Sequence, residues 1–123
     1  MKFNETTPIY LQIKSEIEKA IISQTISEET KIDSIRELAK YYQVNPQTIS
    51  NAFNDLLNDD ILYKKRGIGT FVGIGAREKL LHQKTGEYLN FELKQVLIHG
   101  KNLGIDLDVV INLAEKIFQG GEK

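Results

Sequence analysis

The apolar positions near the start of the chain repeat with the spacing of an amphipathic helix. Ile13, Ile17 and Ile21 recur at four-residue steps after Pro8, a residue that a first helical turn tolerates. Residues three or four positions apart lie on one face of a helix, so these side chains form a single apolar stripe. The pattern predicts a first helix over 8–24 with one buried face.

Two further helices follow, and each begins with a recognisable cap. Ser34-Ile35-Arg36-Glu37 has the spacing of a capping box, which predicts a short helix over 34–42. Asn45-Pro46 combines an N-cap residue with proline at the first helical position, which predicts a third helix that runs to about residue 58. Only residues 43–45 separate the two helices, and so short a turn makes them cross steeply, as in a helix-turn-helix.

A hairpin is predicted after the third helix. Residues 61–65 and 69–72 are short β-prone runs around Arg66-Gly67-Ile68-Gly69, a segment typical of a tight turn. Three helices followed by a hairpin make a winged helix-turn-helix. We expect this domain to occupy residues 1–73.

The remaining region, 74–123, carries two amphipathic helices, one over 76–101 and a last one that Asp106 can cap. Two helices of this length cannot bury both apolar stripes against each other and a small wing. A second copy of the chain is therefore the expected cover. The residues expected at this dimer interface are Leu81, Tyr88, Leu89, Leu93, Val96, Leu97, Val110, Ile111, Ala114 and Phe118. The predicted fold class is mainly α with a small β-hairpin, a winged helix-turn-helix followed by a two-helix dimerisation tail.

Length and composition exclude several classes of protein. A chain of 123 residues is one domain, or one small domain with an appendage, and is too short for a winged domain plus a full ligand-pocket domain. The absence of cysteine excludes disulfides, thiolate nucleophiles, cysteine zinc sites and iron–sulfur clusters. The sequence has neither a signal-peptide pattern nor an apolar run of membrane-spanning length. We expect a soluble, cytoplasmic protein without a membrane partner.

The charge balance argues against nucleic-acid binding. The chain has 16 Lys and Arg against 17 Asp and Glu, a net charge of −1, and residues 1–73 alone carry 9 basic and 10 acidic residues. Nucleic-acid-binding domains are typically strongly basic. If this chain binds DNA, binding must depend on where its few cations point. A winged-helix module that binds protein rather than DNA is therefore an open alternative.

Four segments match, in order and spacing, the motifs of a known family. They are Pro8-Ile9-Tyr10-x-Gln12-Ile13, Ser34-Ile35-Arg36-Glu37-Leu38-Ala39, Val44-Asn45-Pro46-Gln47-Thr48-Ile49 and Lys65-Arg66-Gly67-x-Gly69-Thr70-Phe71-Val72. The chain resembles the GntR family of bacterial transcription regulators, and within it the small YtrA-type branch, in which two dimerisation helices follow the winged helix. The resemblance implies a sequence-specific regulator of transcription, a homodimeric repressor that binds an inverted-repeat operator in double-stranded DNA.

The chain departs from the family pattern in its turns. Where the family commonly has glycine or proline between the first two helices, this chain has Gln24, Glu28-Glu29 and Asp33. Gln43 and Asp60 also replace glycines. The added carboxylates predict a lower non-specific affinity for phosphate than in typical relatives.

The candidate DNA contacts follow from the helix-turn-helix geometry, in which the second helix of the pair enters the major groove. Its exposed residues here are uncharged and include glutamine and asparagine, which can bond adenine through two hydrogen bonds. Arg36 stands at the family's near-invariant arginine, where a guanidinium can reach phosphate or guanine. The basic run 64–66 leads into a wing tip that could lie along the minor groove. The full candidate set is Arg36, Lys40, Asn45, Gln47, Thr48, Ser50, Asn51, Asn54, Lys64, Lys65, Arg66, Gly67, Gly69 and Thr70.

No pattern in the chain points to catalysis. The glycines of 67–75 do not fit a nucleotide-binding loop, and His82 and His99 are too far apart to form a metal site on adjacent helical turns. We therefore expect no catalytic residue, no cofactor and no metal, and a small enzyme is the least supported reading. A small-molecule effector could bind at the dimer interface, but the sequence does not identify one.

Overall fold

A computed structural model describes residues 3–120, so the first two and the last three positions of the predicted domains 1–73 and 74–123 lie outside the described part. The elements, in chain order, are α1 (Ile9–Ile22), α2 (Ile35–Tyr42), α3 (Pro46–Asn58), β1 (Leu62–Lys65), β2 (Gly69–Val72), α4 (Ala76–Glu87), a π-helical segment (Tyr88–Leu93), α5 (Lys94–Asn102) and α6 (Leu107–Phe118). This order confirms the predicted fold class, a winged helix-turn-helix followed by a helical tail.

The hydrophobic core of the winged helix forms between α1, α2 and α3. Ile13, Ile17 and Ile21 of the predicted stripe of α1 are buried, whereas Ile9, which the same spacing places on that face, is 43% exposed. Phe53 of α3 is only 2% exposed. Pro8 occupies the N-cap position, with ψ of 140°, rather than the first helical turn. The other buried hydrophobic residues of this core are Ile32, Leu38, Ala39, Ile49, Ala52, Leu56, Ile61, Leu62, Val72, Ala76 and Leu80.

A buried glutamine joins the segment before α1 to the helix. The Gln12 side-chain amide donates to the carbonyl oxygens of Asn4 at 3.0 Å and Thr7 at 2.7 Å, and its Oε1 accepts from the Asn4 N–H at 2.9 Å. A buried amide is stable only when its donors and acceptors are paired. These bonds explain why the first motif of the sequence contains glutamine at this position.

The wing, which comprises β1, β2 and their turn, has a third segment beside it. β1 and β2 pair antiparallel, with Leu62 opposite Val72 and Lys65 opposite Gly69. Residues 29–32 run along the other edge of β2, where Ile32 N–H donates to the Thr70 carbonyl at 2.9 Å and Val72 N–H donates to the Thr30 carbonyl at 3.1 Å. The loop between α1 and α2 therefore covers an edge that a simple hairpin would leave unpaired.

The start of α4 belongs to the same compact unit, because Ala76 and Leu80 are buried in its core. The Glu28 carboxylate caps this helix from the α1–α2 loop: it accepts from the Gly75 N–H at 2.9 Å and from the Arg77 N–H at 3.0 Å. Arg77 Nε in turn donates to the Ile22 carbonyl at 2.7 Å. Compact packing thus continues past residue 73, and the first unit ends at Gln83. The functional boundary after residue 73 stays a prediction.

The second unit begins at Lys84 and contains only helices. The predicted helix over 76–101 is present, but six of its residues, Tyr88–Leu93, form a π-helical turn that the apolar periodicity did not indicate. Gly104 ends α5 with a φ of +81°, as predicted for a left-handed cap. No residue from 84 to 120 is buried. None of the helices between residues 3 and 120 is both long and apolar enough to cross a lipid bilayer.

The turns that lack the family's glycines keep a left-handed backbone. Gln24, Glu29, Gln43 and Asp60 have φ between +56° and +66°, and each stands where the chain departs from the family pattern. A side chain makes this conformation unfavourable by roughly 1–2 kcal/mol per residue. The chain therefore retains the turn geometry at some expense in stability.

Candidate nucleic-acid interface

Side-chain caps hold the starts of both α2 and α3. Ser34 and Glu37 form the predicted capping box, with Glu37 N–H donating to Ser34 Oγ at 3.1 Å and Ser34 N–H donating to Glu37 Oε1 at 2.9 Å. The bond from the Ser34 backbone, followed by that from its side chain, holds the pKa of the Glu37 carboxyl below its ordinary value. At α3 the Asn45 side chain accepts from the Gln47 N–H at 2.8 Å. Asn45 therefore serves as the N-cap, and its Oδ1 is already engaged.

The outer face of α3 is polar and carries no net charge. Gln47, Asn51 and Asn54 are exposed, while Thr48 and Ser50 are half-buried. The one acidic residue of α3, Asp55, lies 3.8 Å from the Lys14 ammonium of α1. Amide side chains consequently dominate the exposed face. Such a face suits hydrogen bonding to base edges better than binding to phosphate.

Basic side chains flank this helix on α2 and on the wing. Arg36 and Lys40 of α2 are exposed, as are Lys64, Lys65 and Arg66. The Lys65 ammonium lies 4.4 Å from the centroid of the Phe71 ring, and Phe71 itself stacks on Tyr63 at 5.7 Å between ring centroids. An exposed cation–π contact of this kind contributes only about 0.5–1 kcal/mol, so Lys65 remains available to an anion.

The wing tip provides backbone groups at an exposed turn. Ile68 N–H donates to the Lys65 carbonyl at 3.0 Å, and the flanking glycines, Gly67 and Gly69, have φ of +78° and +150°. Gly69 and Thr70 are half-buried, whereas Gly67 is exposed. A positive φ at both glycines explains why the turn needs them.

Lys31 is a further cation beside the wing that the sequence interpretation did not include. It pairs with Phe71 in an isolated β-bridge, and its side chain crosses Gly69, where an added Cβ would lie 2.6 Å from Lys31 Cε. Its charge also contributes to the lowered pKa of Glu37 at the start of α2. Lys31 thus lies between the wing and α2. Lys31 lies in a loop more than thirty residues before the wing, so the hydrophobic periodicity could not predict this proximity.

Several carboxylates of the first unit have structural roles. Glu28 and Glu37 cap helices, and Asp55 and Glu16 lie within 3.8 Å and 3.5 Å of lysine ammonium groups on α1. Glu18 is buried. Part of the acidic charge in the near-neutral total therefore belongs to carboxylates with structural partners, while the lysines and arginines of α2 and the wing are exposed.

The residues predicted for dimerisation lie mostly on exposed surface. Leu81, Leu93 and Val110 are half-buried, and the other seven predicted residues are exposed, with Phe118 at 91%. Beyond the predicted set, more large hydrophobic residues of the second unit are exposed. These are Phe91, Ile98, Leu103, Ile105, Leu107, Val109, Leu113 and Ile117. Val109, Leu113 and Ile117 repeat at four-residue steps, a second stripe on α6 that sequence analysis could have found.

A groove beside the start of α4 offers no set of convergent reactive groups. It is lined by Ile21, Glu28, Arg77 and Leu81, among others, and is open to solvent. Glu28 accepts two backbone hydrogen bonds and Arg77 Nε donates to a backbone carbonyl, so both side chains have structural roles. Within residues 3–120, no three His, Asp or Glu residues are grouped so as to hold a metal ion.

Comparisons with known proteins match this geometry. The sequence profile described as "Bacterial regulatory proteins, gntR family" matches residues 9–72. The HTH-type transcriptional repressor YtrA of Bacillus subtilis is 30% identical over 121 residues, which cover 96% of this chain and 92% of the repressor.

Solved structures resemble both parts of the chain. A GntR-family putative transcriptional regulator from Bacteroides thetaiotaomicron superposes with a TM-score of 0.78 at 29% identity, over 93% of this chain and 99% of the other. The DNA-binding domain of AraR, solved in complex with operator ORX1, superposes with a TM-score of 0.55 at 34% identity. That match covers 58% of this chain and 93% of the AraR domain.

Proposed function

The chain belongs to the gntR family of bacterial regulatory proteins, and from this premise we propose that it is a homodimeric repressor that binds an inverted-repeat operator. It is a DNA-binding regulator of transcription, and it acts in the cytoplasm, where bacterial DNA lies. The observation that carries the proposal is the exposed, uncharged face of α3, which the Asn45 side chain caps and the cations of α2 and the wing flank. The structures of the AraR domain with its operators support the same mode of binding.

In this proposal α3 enters the major groove and reads bases through Gln47, Ser50, Asn51 and Asn54. Each good two-bond contact between an amide side chain and adenine contributes about 1–3 kcal/mol of discrimination. The Thr48 hydroxyl binds phosphate. The first turn of α3 adds no free N–H group, because Pro46 has none and the Gln47 and Thr48 N–H groups donate to Asn45. Asn45 positions this turn rather than reading a base, because its Oδ1 caps the helix.

Cations on α2 and the wing supply affinity for the phosphate backbone. Arg36 and Lys40 bind one stretch of backbone, and Lys64, Lys65 and Arg66 follow the minor groove with the backbone of Gly67, Gly69 and Thr70. We add Lys31 to this set because it lies between the wing and the start of α2. Each phosphate contact releases condensed counterions, so binding weakens as salt rises.

The second unit supplies the dimer. Among the described residues, fourteen of the eighteen exposed large hydrophobic side chains lie at or beyond Tyr88. The polar residues of α6, Asp108, Asn112, Glu115 and Lys116, share one arc of about 100° at 3.6 residues per turn. The apolar arc is wide enough for α6 to contact two neighbouring helices, which favours burial within a four-helix or larger interface between two chains.

A two-fold dimer presents two copies of α3 to DNA. Its operator should contain an inverted repeat with half-sites about 10 base pairs apart, or a multiple of that distance, because successive major grooves then face the same side. Binding rather than catalysis is proposed because no convergent reactive groups lie on the described surface.

The test is a salt titration of binding to the DNA upstream of the chain's own gene. Arg36→Ala and Lys65→Ala should weaken binding and each make the slope of log K against log salt shallower by about 2, because the dimer loses the contact in both half-sites. Lys19→Ala is the matched control, because it removes one positive charge from α1, where Lys19 lies 3.5 Å from Glu16. It should leave the slope unchanged.

Two results would count against the proposal in different ways. If Arg36→Ala and Lys65→Ala bind like the wild type, the assignment of the DNA contacts is wrong. If the wild type binds neither this DNA nor any sequence from a random pool, a winged-helix module that binds protein becomes the better reading.

A further inference from the structure

Two of the exposed amide side chains of α3 are bonded to each other. Gln47 Nε2 donates to Asn51 Oδ1 at 3.0 Å, one helical turn apart. The backbone beneath them is also held, since the Asn45 cap binds the Gln47 N–H at 2.8 Å. The two side chains therefore form one preorganised group, which we call the amide pair, at the N-terminal end of the helix.

The amide pair presents a defined set of free hydrogen-bonding groups. Its internal bond uses one carbonyl oxygen, that of Asn51, and one N–H of Gln47. The Gln47 Oε1 acceptor and both N–H donors of Asn51 Nδ2 take no part in that bond. An acceptor and a donor are thus offered side by side, on two residues that share the exposed face of α3.

Only one base has a complementary major-groove edge. Adenine offers the N7 acceptor and the N6 amino donor, whereas guanine offers two acceptors, cytosine a donor alone and thymine an acceptor with a methyl group. Guanine would place its O6 against Gln47 Oε1, two acceptors without a hydrogen between them. We propose that the amide pair acts as a single specificity determinant that reads one adenine in each half-site. Asn51 Nδ2 donates to N7 and Gln47 Oε1 accepts from the N6 amine.

This inference rests on the proposed function and adds the base and the bonding pattern. A pair that is already bonded loses less side-chain freedom on binding than two independent amides would. Each residue of the pair makes one of the two bonds to the base, so removal of either residue abolishes the same base preference. Asn54, one turn further along α3, has no such partner among the described bonds and is not part of the pair.

The experiment begins with selection of bound duplexes from a random pool by the full-length wild-type chain. Each adenine of the selected half-site is then replaced in turn by 7-deazaadenine, which lacks N7, or by purine, which lacks the N6 amine. At one adenine, each replacement should weaken wild-type binding by about fivefold to tenfold. Asn51→Ala should bind the 7-deazaadenine duplex as well as the adenine duplex, and Gln47→Ala should be indifferent to loss of the N6 amine.

Two controls separate recognition from folding. Asn58→Ala removes an exposed amide from the C-terminal end of the same helix and should keep both wild-type sensitivities. The double variant Gln47→Ala/Asn51→Ala should show the same loss of adenine preference as either single variant, because the two side chains read one base jointly.

Three results would overturn the inference while the proposed function stands. One is a wild type that tolerates both analogues at every adenine. Another is Asn51→Ala with undiminished sensitivity to 7-deazaadenine. The third is a double variant whose loss is the product of the two single losses, which would mean that the residues read separate bases. Failure of the wild type to select any motif would instead reject the proposed function together with the inference.

Discussion

The unit that ends at Gln83 and the unit that begins at Lys84 differ in how far their apolar side chains are buried. In the first unit, fifteen hydrophobic residues are buried in one core that joins three helices, the wing and the start of α4. In the second unit no described residue is buried, although α6 has a wide apolar face. Two phenylalanines illustrate the contrast, because Phe53 is 2% exposed and Phe118 is 91% exposed.

The difference indicates what each unit needs in order to be stable. Burial of a large apolar side chain contributes about 1.5–3 kcal/mol, and the first unit obtains this stabilisation within one chain. The second unit exposes fourteen large hydrophobic side chains among its described residues, whereas monomers rarely expose contiguous apolar patches larger than a few hundred Å². We therefore expect its helices to depend on a partner, and their stability to depend on protein concentration.

The largest expected effect is in the second unit. Ile111→Asp places a charge in the proposed dimer interface, which should weaken it by about 2–4 kcal/mol per site, and a two-fold interface contains the site twice. Light scattering at micromolar concentration should then give the mass of a monomer. Asn112→Asp introduces the same charge on the polar face of α6 and should leave a dimer. A wild-type chain that is itself monomeric would contradict the contrast between the units.

The next effect compares the two phenylalanines. Phe53→Ala should lower the free energy of unfolding by about 3–5 kcal/mol, because the core cannot close around so large a cavity. Phe118→Ala should leave the unfolding of the winged helix unchanged and should instead raise the dissociation constant of the dimer. Denaturation with urea, followed by circular dichroism, measures the first change and sedimentation measures the second. Equal loss of stability in the two variants would mean that the units do not differ in this way.

A smaller effect is expected where the first unit holds the start of α4. Glu28→Gln should lower Tm at neutral pH, because the amide cannot accept at both atoms from Gly75 and Arg77. Those backbone bonds hold the pKa of Glu28 below its ordinary value of 4.5. The carboxylate therefore stabilises the fold above that value, and this stabilisation is lost as pH falls through the folded-state pKa.

Thermal melts across pH check this prediction. The gap in Tm between the wild type and Glu28→Gln should be constant near neutrality and disappear in acid. Glu29→Gln is the control, since its side chain accepts none of the described bonds. A gap that persists in strongly acidic solution would show that the charge of Glu28 has no role in the cap.

The smallest expected effect is a gain in stability. Gln43→Gly should raise the free energy of unfolding by about 0.5–1 kcal/mol, because glycine relieves a left-handed backbone at some cost in unfolded-chain entropy. Gln83→Gly should have the opposite sign and lower it by about 1 kcal/mol, since residue 83 lies in helix α4. Urea denaturation of both variants compares them directly. Destabilisation by both changes would mean that φ of +56° at Gln43 carries no strain.

The helix starts and the hairpin of the first unit were predictable because they depend on residues only a few positions apart. Ser34 and Asn45 mark helix starts through bonds to backbone groups three and two residues away, and Pro46 marks one through its fixed φ. The structure confirms these starts. The hairpin was predictable for the same reason, from the glycines at its turn. The DNA-contact residues of α3 follow from helix periodicity, and they stay a prediction until binding is measured.

Other features depend on residues far apart in the chain. Glu28 appeared only as added negative charge, yet its carboxylate caps a helix that begins nearly fifty residues later. Lys31 lies against Gly69 because it pairs with Phe71 in a β-bridge, which no local sequence pattern predicts. The π-helical turn at Tyr88–Leu93 is likewise invisible to a 3.6-residue periodicity, because it shifts the face presented by every residue after it.

The sequence by itself determined the order of helices and strands, the start of α2 and α3, the wing turn and the family. These features depend on interactions between neighbouring residues, whose spacing can be read directly. Only the tertiary structure decided that four non-glycine residues keep left-handed turns, that Leu80 belongs to the core of the first unit, and that Gln47 is bonded to Asn51. The place of Leu80 depends on packing, which brings together residues that the sequence keeps apart. The left-handed turns and the bond from Gln47 to Asn51 depend on backbone angles and rotamers that residue types leave open.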